Sequence, residues 1–185
     1  MSYRAPVTEY QFLFDHVVGL DQVSATERFG EATRDVTTAI LIEAGRMCEE
    51  VMAPLQRAGD EHPAVLENGV VRCSPGYVEG YRAIAEGGWV SIAASPEYGG
   101  MGLPMAVTTA VNEMMSAAGL SLQLCPLMTQ GQIEALEHHA SDEIKRLYPP
   151  KLISGAWCGT MNLTEPQAGS DVGALSSKAV PNGDG

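Results

Sequence analysis

Positive charge is scarce in this sequence. Eleven lysines and arginines stand against 23 aspartates and glutamates, for a net charge of −12 over 185 residues. A chain this poor in basic residues offers no footprint for a phosphate backbone, which excludes nucleic-acid binding as its main task. It also lacks a polybasic patch for an anionic membrane surface. Long apolar runs are missing too: no window reaches about 18 consecutive apolar residues, so no membrane-spanning helix is expected. The opening "MSYRAPVTEYQFLF" has no basic region ahead of an apolar run and a small-residue cleavage site, so it does not read as a secretory signal. Cysteine is sparse. Cys48, Cys73, Cys125 and Cys158 lie far apart without a CxxC pair, and read as reduced thiols, neither a disulfide frame nor a zinc site. A soluble, cytoplasmic protein is the expectation.

What is present suffices for a core. The composition is 45% hydrophobic and 18% charged, which fits one large domain, or one domain plus part of a second. Residues 1–29 form an arm in which "QFLFDHVVG" reads as a short helix against the main body. From about Gly30 to Met52, Val36, Ile40, Met47 and Val51 recur at helical steps, and Ala53-Pro54 is expected to end that helix. "RAGDEHPAVLENGVVRCSPG" reads as a loop rich in turn residues. "GYVEGYRAIAEGGW" predicts a short helix closed by Gly87-Gly88. After the Pro/Gly turn of "SPEYGGMGLP", Pro104 is placed to open a helix over 104–118 with Val107, Val111, Met114 and Met115 on adjoining faces. Another is expected from Pro126 to His139, and Ser141 or Asp142 caps a further one to about Leu152.

After Gly155 the pattern changes. "AWCGTMNLT" has no helical period and predicts a strand, "ALSSKAV" a second, and "PNGDG" a hairpin turn. Such a turn needs a returning strand, so the sequence reads as the amino-terminal part of a longer protein. The expected fold is mainly α: a helical domain over 30–155, then over 156–185 the first strands of a β domain.

The stretch "TEPQAGSDVG" (164–173) has its own physical reading. Pro166 stops a normal ladder, Gly169 admits a conformation closed to residues with a Cβ, and Ser170 and Asp171 offer a hydroxyl, a carboxylate and backbone N–H groups over a tight turn. Successive N–H donors make a concavity suited to an anion such as phosphate. Residue types alone favour the plainer alternative, a connecting turn in which Asp171 caps a helical turn.

"LTEPQAGSDVG" resembles the flavin-binding signature of the acyl-CoA dehydrogenase family. "SPEYGGMGLP" is similar to a turn of that family's helical amino-terminal domain, and "DEIKRLYPPKLISGAWCGTMNLTEP" resembles the helix, turn and first β-domain strand ahead of the signature. Together the matches cover about residues 80–180. The arm "YRAPVTEYQFLFDHVVG" further resembles one branch, the 3-methylmercaptopropionyl-CoA dehydrogenases. The resemblance implies a helical domain followed by a β-barrel-like middle domain, FAD as cofactor, α,β-dehydrogenation of an acyl-CoA thioester, an electron-transfer flavoprotein as partner, a homo-oligomer, and a place in fatty acid metabolism.

Carried over by position, it implies that Met161, Leu163 and Thr164 line the flavin ring, with Thr164 hydrogen-bonding its pyrimidine end. Gly169 and Ser170 are implied at the pyrophosphate, with Ser170 also contacting the CoA end of the substrate. Met161 departs from the aromatic often found at its place, though its polarisable sulfur suits a ring contact. The family's catalytic glutamate belongs to a carboxy-terminal domain beyond Gly185; Glu165 reads as a turn residue beside the proline, not as that base.

Two further groups read more plainly. Glu134 and His138 lie one helical turn apart but lack a third ligand, and a solvated helix face explains them. The apolar face of residues 120–136 reads as core, with Leu124, Leu127 and Gln130 as candidate contacts to the acyl chain. Two other readings compete: an acyl-CoA oxidase-like or nitroalkane-oxidase-like flavoenzyme of the same fold, and a non-catalytic helical binding module.

Overall fold

The computed structural model describes residues 3–183, and helices dominate it. The arm holds α1 (Val7–Leu13), a π turn over Phe14–Val18 that ends at Gly19, and α2 (Leu20–Ser24). Then come α3 (Arg34–Met47), α4 (Ala53–Glu61), a hairpin of β1 (Val65–Glu67) and β2 (Val70–Arg72), and α5 (Tyr77–Glu86). The long α6 (Met105–His139) and the short α7 (Asp142–Leu147) and α8 (Pro149–Ile153) complete the helices.

Thr33 opens α3: its hydroxyl accepts the Val36 amide, one of the donors a helix start leaves unpaired. The inward stripe differs from the one the sequence pattern suggests. Thr37, Leu41, Ala44 and Met47 are buried, whereas Val36 is exposed. The arm sets that rotation: a Cβ on Gly45 would fall 2.8 Å from the Ala5 Cβ, so α3 turns its small residues toward the incoming chain. Glu49 fixes the crossing by accepting from the Ala5 amide at 2.9 Å and from Arg4 at 2.7 Å.

Pro54 does not end the helix. A π turn over Cys48–Met52 carries the axis on into α4, with Pro54 in its first turn. There the π turn has already displaced the regular bonding, the Ala53 amide donating to the Cys48 carbonyl, so the N–H that proline lacks costs little. Pro104 is the residue before α6 rather than its first helical residue, and its carbonyl accepts the Val107 amide at 2.9 Å. The two helices expected over 104–118 and 126–139 are one element that changes direction at Gly119 (φ −173°, ψ 78°). Pro126 lies inside the second half and is buried, so the break falls at the glycine, seven residues earlier.

Val107, Val111, Met114 and Met115 are fully buried, as their spacing requires. They meet Leu41, Met52, Ile84 and Ile92 in one core, where each such side chain contributes about 1.5–3 kcal/mol over its exposed state. The helix over 77–86 ends at Gly87, where its sequence places the stop, and Ser141 caps α7 by accepting the Ile144 amide.

The hairpin lies in what reads as a loop. Asn68 (φ 51°) and Gly69 (φ 77°) form its turn, and β1 pairs antiparallel with β2, Glu67 opposite Val70. No strand forms over 156–183 among the described residues; "AWCGTMNLT" and "ALSSKAV" run without a ladder, apart from an isolated bridge between Glu165 and Ala168. A strand is defined by its neighbour, and no neighbour lies beside them here. Part of "PNGDG" lies outside the described residues.

Candidate functional site

The site begins where the chain leaves the helices. Gly155 sits in the left-handed region (φ 70°), and a Cβ there would overlap Ala85 on α5; the Tyr81 hydroxyl donates to its carbonyl at 3.1 Å. The Trp157 amide donates back to the Lys151 carbonyl at 3.0 Å, and the Lys151 ammonium lies 4.1 Å from the centre of the Trp157 ring. Tyr148 meets the same ring edge-on. Gly159 then presses on α6: its buried amide donates to the Thr129 hydroxyl at 3.0 Å, and a Cβ on it would come to 3.0 Å from the Thr129 Cα. This pinned exit sets the direction of residues 160–164.

Beyond Gly159 the chain stands clear of the core. Met161 is 61% and Leu163 47% exposed, and Thr164 is exposed beside them. Two hydrogen bonds between Glu165 and Ala168, at 2.9 and 3.1 Å, then close a turn around Pro166-Gln167. The Glu165 carboxylate clasps the far side: it accepts the Ser176 amide at 3.0 Å, the Ser176 hydroxyl at 2.8 Å, the Ser177 amide at 2.8 Å, and Gln167. Those bonds, Ser177 and Ser176 first, hold its pKa well below the usual carboxylate range. Glu165 therefore serves the turn's shape and is a poor proton acceptor at neutral pH. Asp171 accepts the Gly173 amide at 3.1 Å, starting a short 3₁₀ turn over Val172–Ala174.

Between these two anchors lie Gly169, Ser170 and Asp171. Among the described residues, none of their three amides donates to another group. Consecutive free donors on a fixed turn suit an anionic ligand. Gly169 and Thr164 are neighbours: a Cβ on Gly169 would meet the Thr164 methyl at 3.7 Å, an ordinary contact. Its φ is not in the left-handed region, which corrects the expectation that the backbone here demands glycine. What glycine provides is an open approach to the amides.

Residues 34–156 match the acyl-CoA dehydrogenase amino-terminal domain. The chain belongs to the acyl-CoA dehydrogenase family. It is 45% identical over its whole length to 3-methylmercaptopropionyl-CoA dehydrogenase of Ruegeria pomeroyi. It is also 30% identical, over 99% of its length, to a broad-specificity linear acyl-CoA dehydrogenase of Mycobacterium tuberculosis. It spans 32% and 30% of those two relatives, about a third of each. In fold it resembles an acyl-CoA dehydrogenase of Bacillus anthracis solved with FAD, at a TM-score of 0.62 and 21% identity, over 78% of this chain and 23% of that one.

The other candidate residues fall elsewhere in the chain. Leu127 and Gln130 line a cavity of about 500 Å³ together with Thr108, Asn112, Glu134 and His138, while Leu124 does not reach it. Gln130 is held there, donating to the Trp89 carbonyl at 3.1 Å and accepting from Asn112 at 2.7 Å. Asn112 in turn accepts from Gln123 at 3.0 Å. None of Met161, Leu163, Thr164, Gly169 or Ser170 lines that cavity. Glu134 and His138 are exposed, and among the described residues no group of three His, Cys, Asp or Glu is placed to hold a metal. No described helix is long and apolar enough to cross a membrane.

Sequence reasoning missed Thr129 and Gly159, the pair that aims the exposed segment. A lone threonine inside a helix and a lone glycine in "WCGT" carry no local signal, because only the fold brings them together.

Proposed function

We propose that this chain is the amino-terminal portion of an FAD-dependent acyl-CoA dehydrogenase, catalysing α,β-dehydrogenation of an acyl-CoA thioester. The observation that carries the reading is the run of three unpaired amides at Gly169, Ser170 and Asp171, set beside an exposed Thr164. These residues fit a dinucleotide. The amides of Gly169 and Ser170 hold its pyrophosphate, as fixed donors do for anions, and the Ser170 hydroxyl reaches the CoA end of the substrate. The Thr164 hydroxyl donates to the pyrimidine end of the flavin ring, while Met161 and Leu163 exclude water from it. Bound there, FAD supplies the hydride acceptor, and donors aimed at its ring stabilise the charge that develops.

No carboxylate of this chain is assigned as the base. The 45% identical relative supports 3-methylmercaptopropionyl-CoA as the substrate. Residues 156–185 are the opening of a β domain whose further strands complete the ladder. An electron-transfer flavoprotein as acceptor, a homo-oligomeric enzyme, a cytoplasmic location and a role in fatty acid metabolism complete the proposal.

The test is Thr164→Val in the full-length protein. Loss of one hydrogen bond, about 0.5–1.5 kcal/mol, should weaken flavin retention roughly two- to tenfold. Unchanged flavin content with unchanged anaerobic reduction by substrate would remove Thr164 from the site. Turnover on a panel of thioesters identifies the acyl group, and oxygen consumption without an added acceptor would favour the oxidase reading.

A further inference from the structure

Two of the four cysteines, Cys125 and Cys158, meet where the chain leaves the helices. Cys158 is exposed, and its thiol donates to the Tyr81 hydroxyl at 3.2 Å. Cys125 lies on α6 one turn before Thr129, and the Thr129 hydroxyl donates to the Cys125 carbonyl at 3.0 Å. That same hydroxyl receives the amide of Gly159, the residue after Cys158. The segment rests directly on the helix, since even a Cβ on Gly159 would come to 3.0 Å from the Thr129 Cα. A disulfide spans Cα separations of only about 4.4–6.8 Å, so backbones in direct contact are what such a bond requires. The third thiol, Cys73, is exposed on the stretch after β2. Cys48 lies apart in the core, its thiol pushed up to about 12 by burial and then by Glu49.

We propose that Cys125 and Cys158 are a peroxide-sensitive thiol pair whose disulfide fastens the 158–164 segment to α6. The division of labour follows from exposure. Cys158 meets the oxidant, hydrogen peroxide: its sulfur takes one peroxide oxygen and the O–O bond breaks, giving a sulfenic acid and one water. The Cys125 sulfur then bonds to the Cys158 sulfur, and the sulfenic oxygen leaves as a second water with the Cys125 proton. Two thiols and one peroxide thus give one disulfide and two waters. Burial and the neighbouring Cys158 push the Cys125 thiol up to about 11. It therefore holds little thiolate with which to meet peroxide first, and the exposed Cys158 is the one that does. In a reducing compartment such a bond is transient and signals oxidation.

The experiment treats the reduced full-length protein with hydrogen peroxide, blocks the remaining thiols, and maps peptides without reductant. The expected cross-link joins Cys125 to Cys158, reverses with dithiothreitol, persists in Cys73→Ser, and disappears in Cys158→Ser. In Cys125→Ser, a dimedone adduct should accumulate on Cys158, and hydrogen exchange over 158–164 should no longer slow on oxidation. A cross-link through Cys73 would overturn the proposal. So would oxidation of Cys158 to the sulfinic acid, with no disulfide, while Cys125 remains available.

Discussion

Thr129 and Gly159, thirty residues apart, share one buried hydrogen bond: the Gly159 amide donates at 3.0 Å to a hydroxyl that itself donates to the Cys125 carbonyl. Through this bond the helical body sets the direction of the exposed segment carrying Met161, Leu163 and Thr164. Thr129→Val keeps the shape and removes both partnerships, leaving a buried amide unpaired at about 1–3 kcal/mol. A lowered urea midpoint is expected for Thr129→Val, and recovery of most of the loss in Thr129→Ser. Equal midpoints for Val and wild type would show that the hydroxyl does not fix the exit.

Two glycines separate folding from binding. Gly155→Ala forces a Cβ into Ala85 at a left-handed backbone position and should cost about 1–3 kcal/mol, read as a lower melting temperature. Gly169→Ala meets only the Thr164 methyl at 3.7 Å, so its stability should stay within about 0.5 kcal/mol of wild type. Its added methyl, however, stands at the mouth of the free amides, and flavin retention by the full-length protein should fall. A Gly169→Ala protein that keeps both stability and flavin would argue against the cradle.

Glu165 carries a pH signature. Its pKa is lowered by hydrogen bonds from Ser177 and Ser176, so the clasp is fully present above the unfolded value of about 4.3. It is lost only as pH falls through the lower folded value. The amide resonances of Ser176 and Ser177 should hold steady across the pH range where an ordinary glutamate titrates, moving only in stronger acid. Glu165→Gln should shift both resonances at neutral pH. A midpoint near 4.3 in the wild-type protein would mean that the clasp is absent in solution.

Much of the helical frame was legible because its signals are local. Gly87 after α5, Ser141 before α7 and the periodic Val107, Val111, Met114 and Met115 each act within a turn or two of chain. The failures arise where distant partners decide. Pro54 falls in the first turn of α4 just after a π turn, and Pro126 lies buried inside the second half of α6, past the bend at Gly119. The inward stripe of α3 is rotated because the arm crosses it at Gly45. The hairpin carries a local signal, Asn68-Gly69 between Val65-Leu66 and Val70-Val71, yet the surrounding turn residues obscured it. Met161, Leu163, Thr164, Gly169 and Ser170 were legible as one motif. What aims them was not, since Thr129 and Gly159 mean nothing to each other until the chain has folded.

The two tryptophans of the chain have opposite surroundings. Trp89 is enclosed, at 8% exposure, while Trp157 is open at 41% with the Lys151 ammonium over its face. An indole facing water emits to the red of an enclosed one, so the molecule carries its own pair of optical gauges, one on the interior and one on the hinge. With Trp89 replaced by phenylalanine, the remaining glow would report on whether the departing strap still rests against its support.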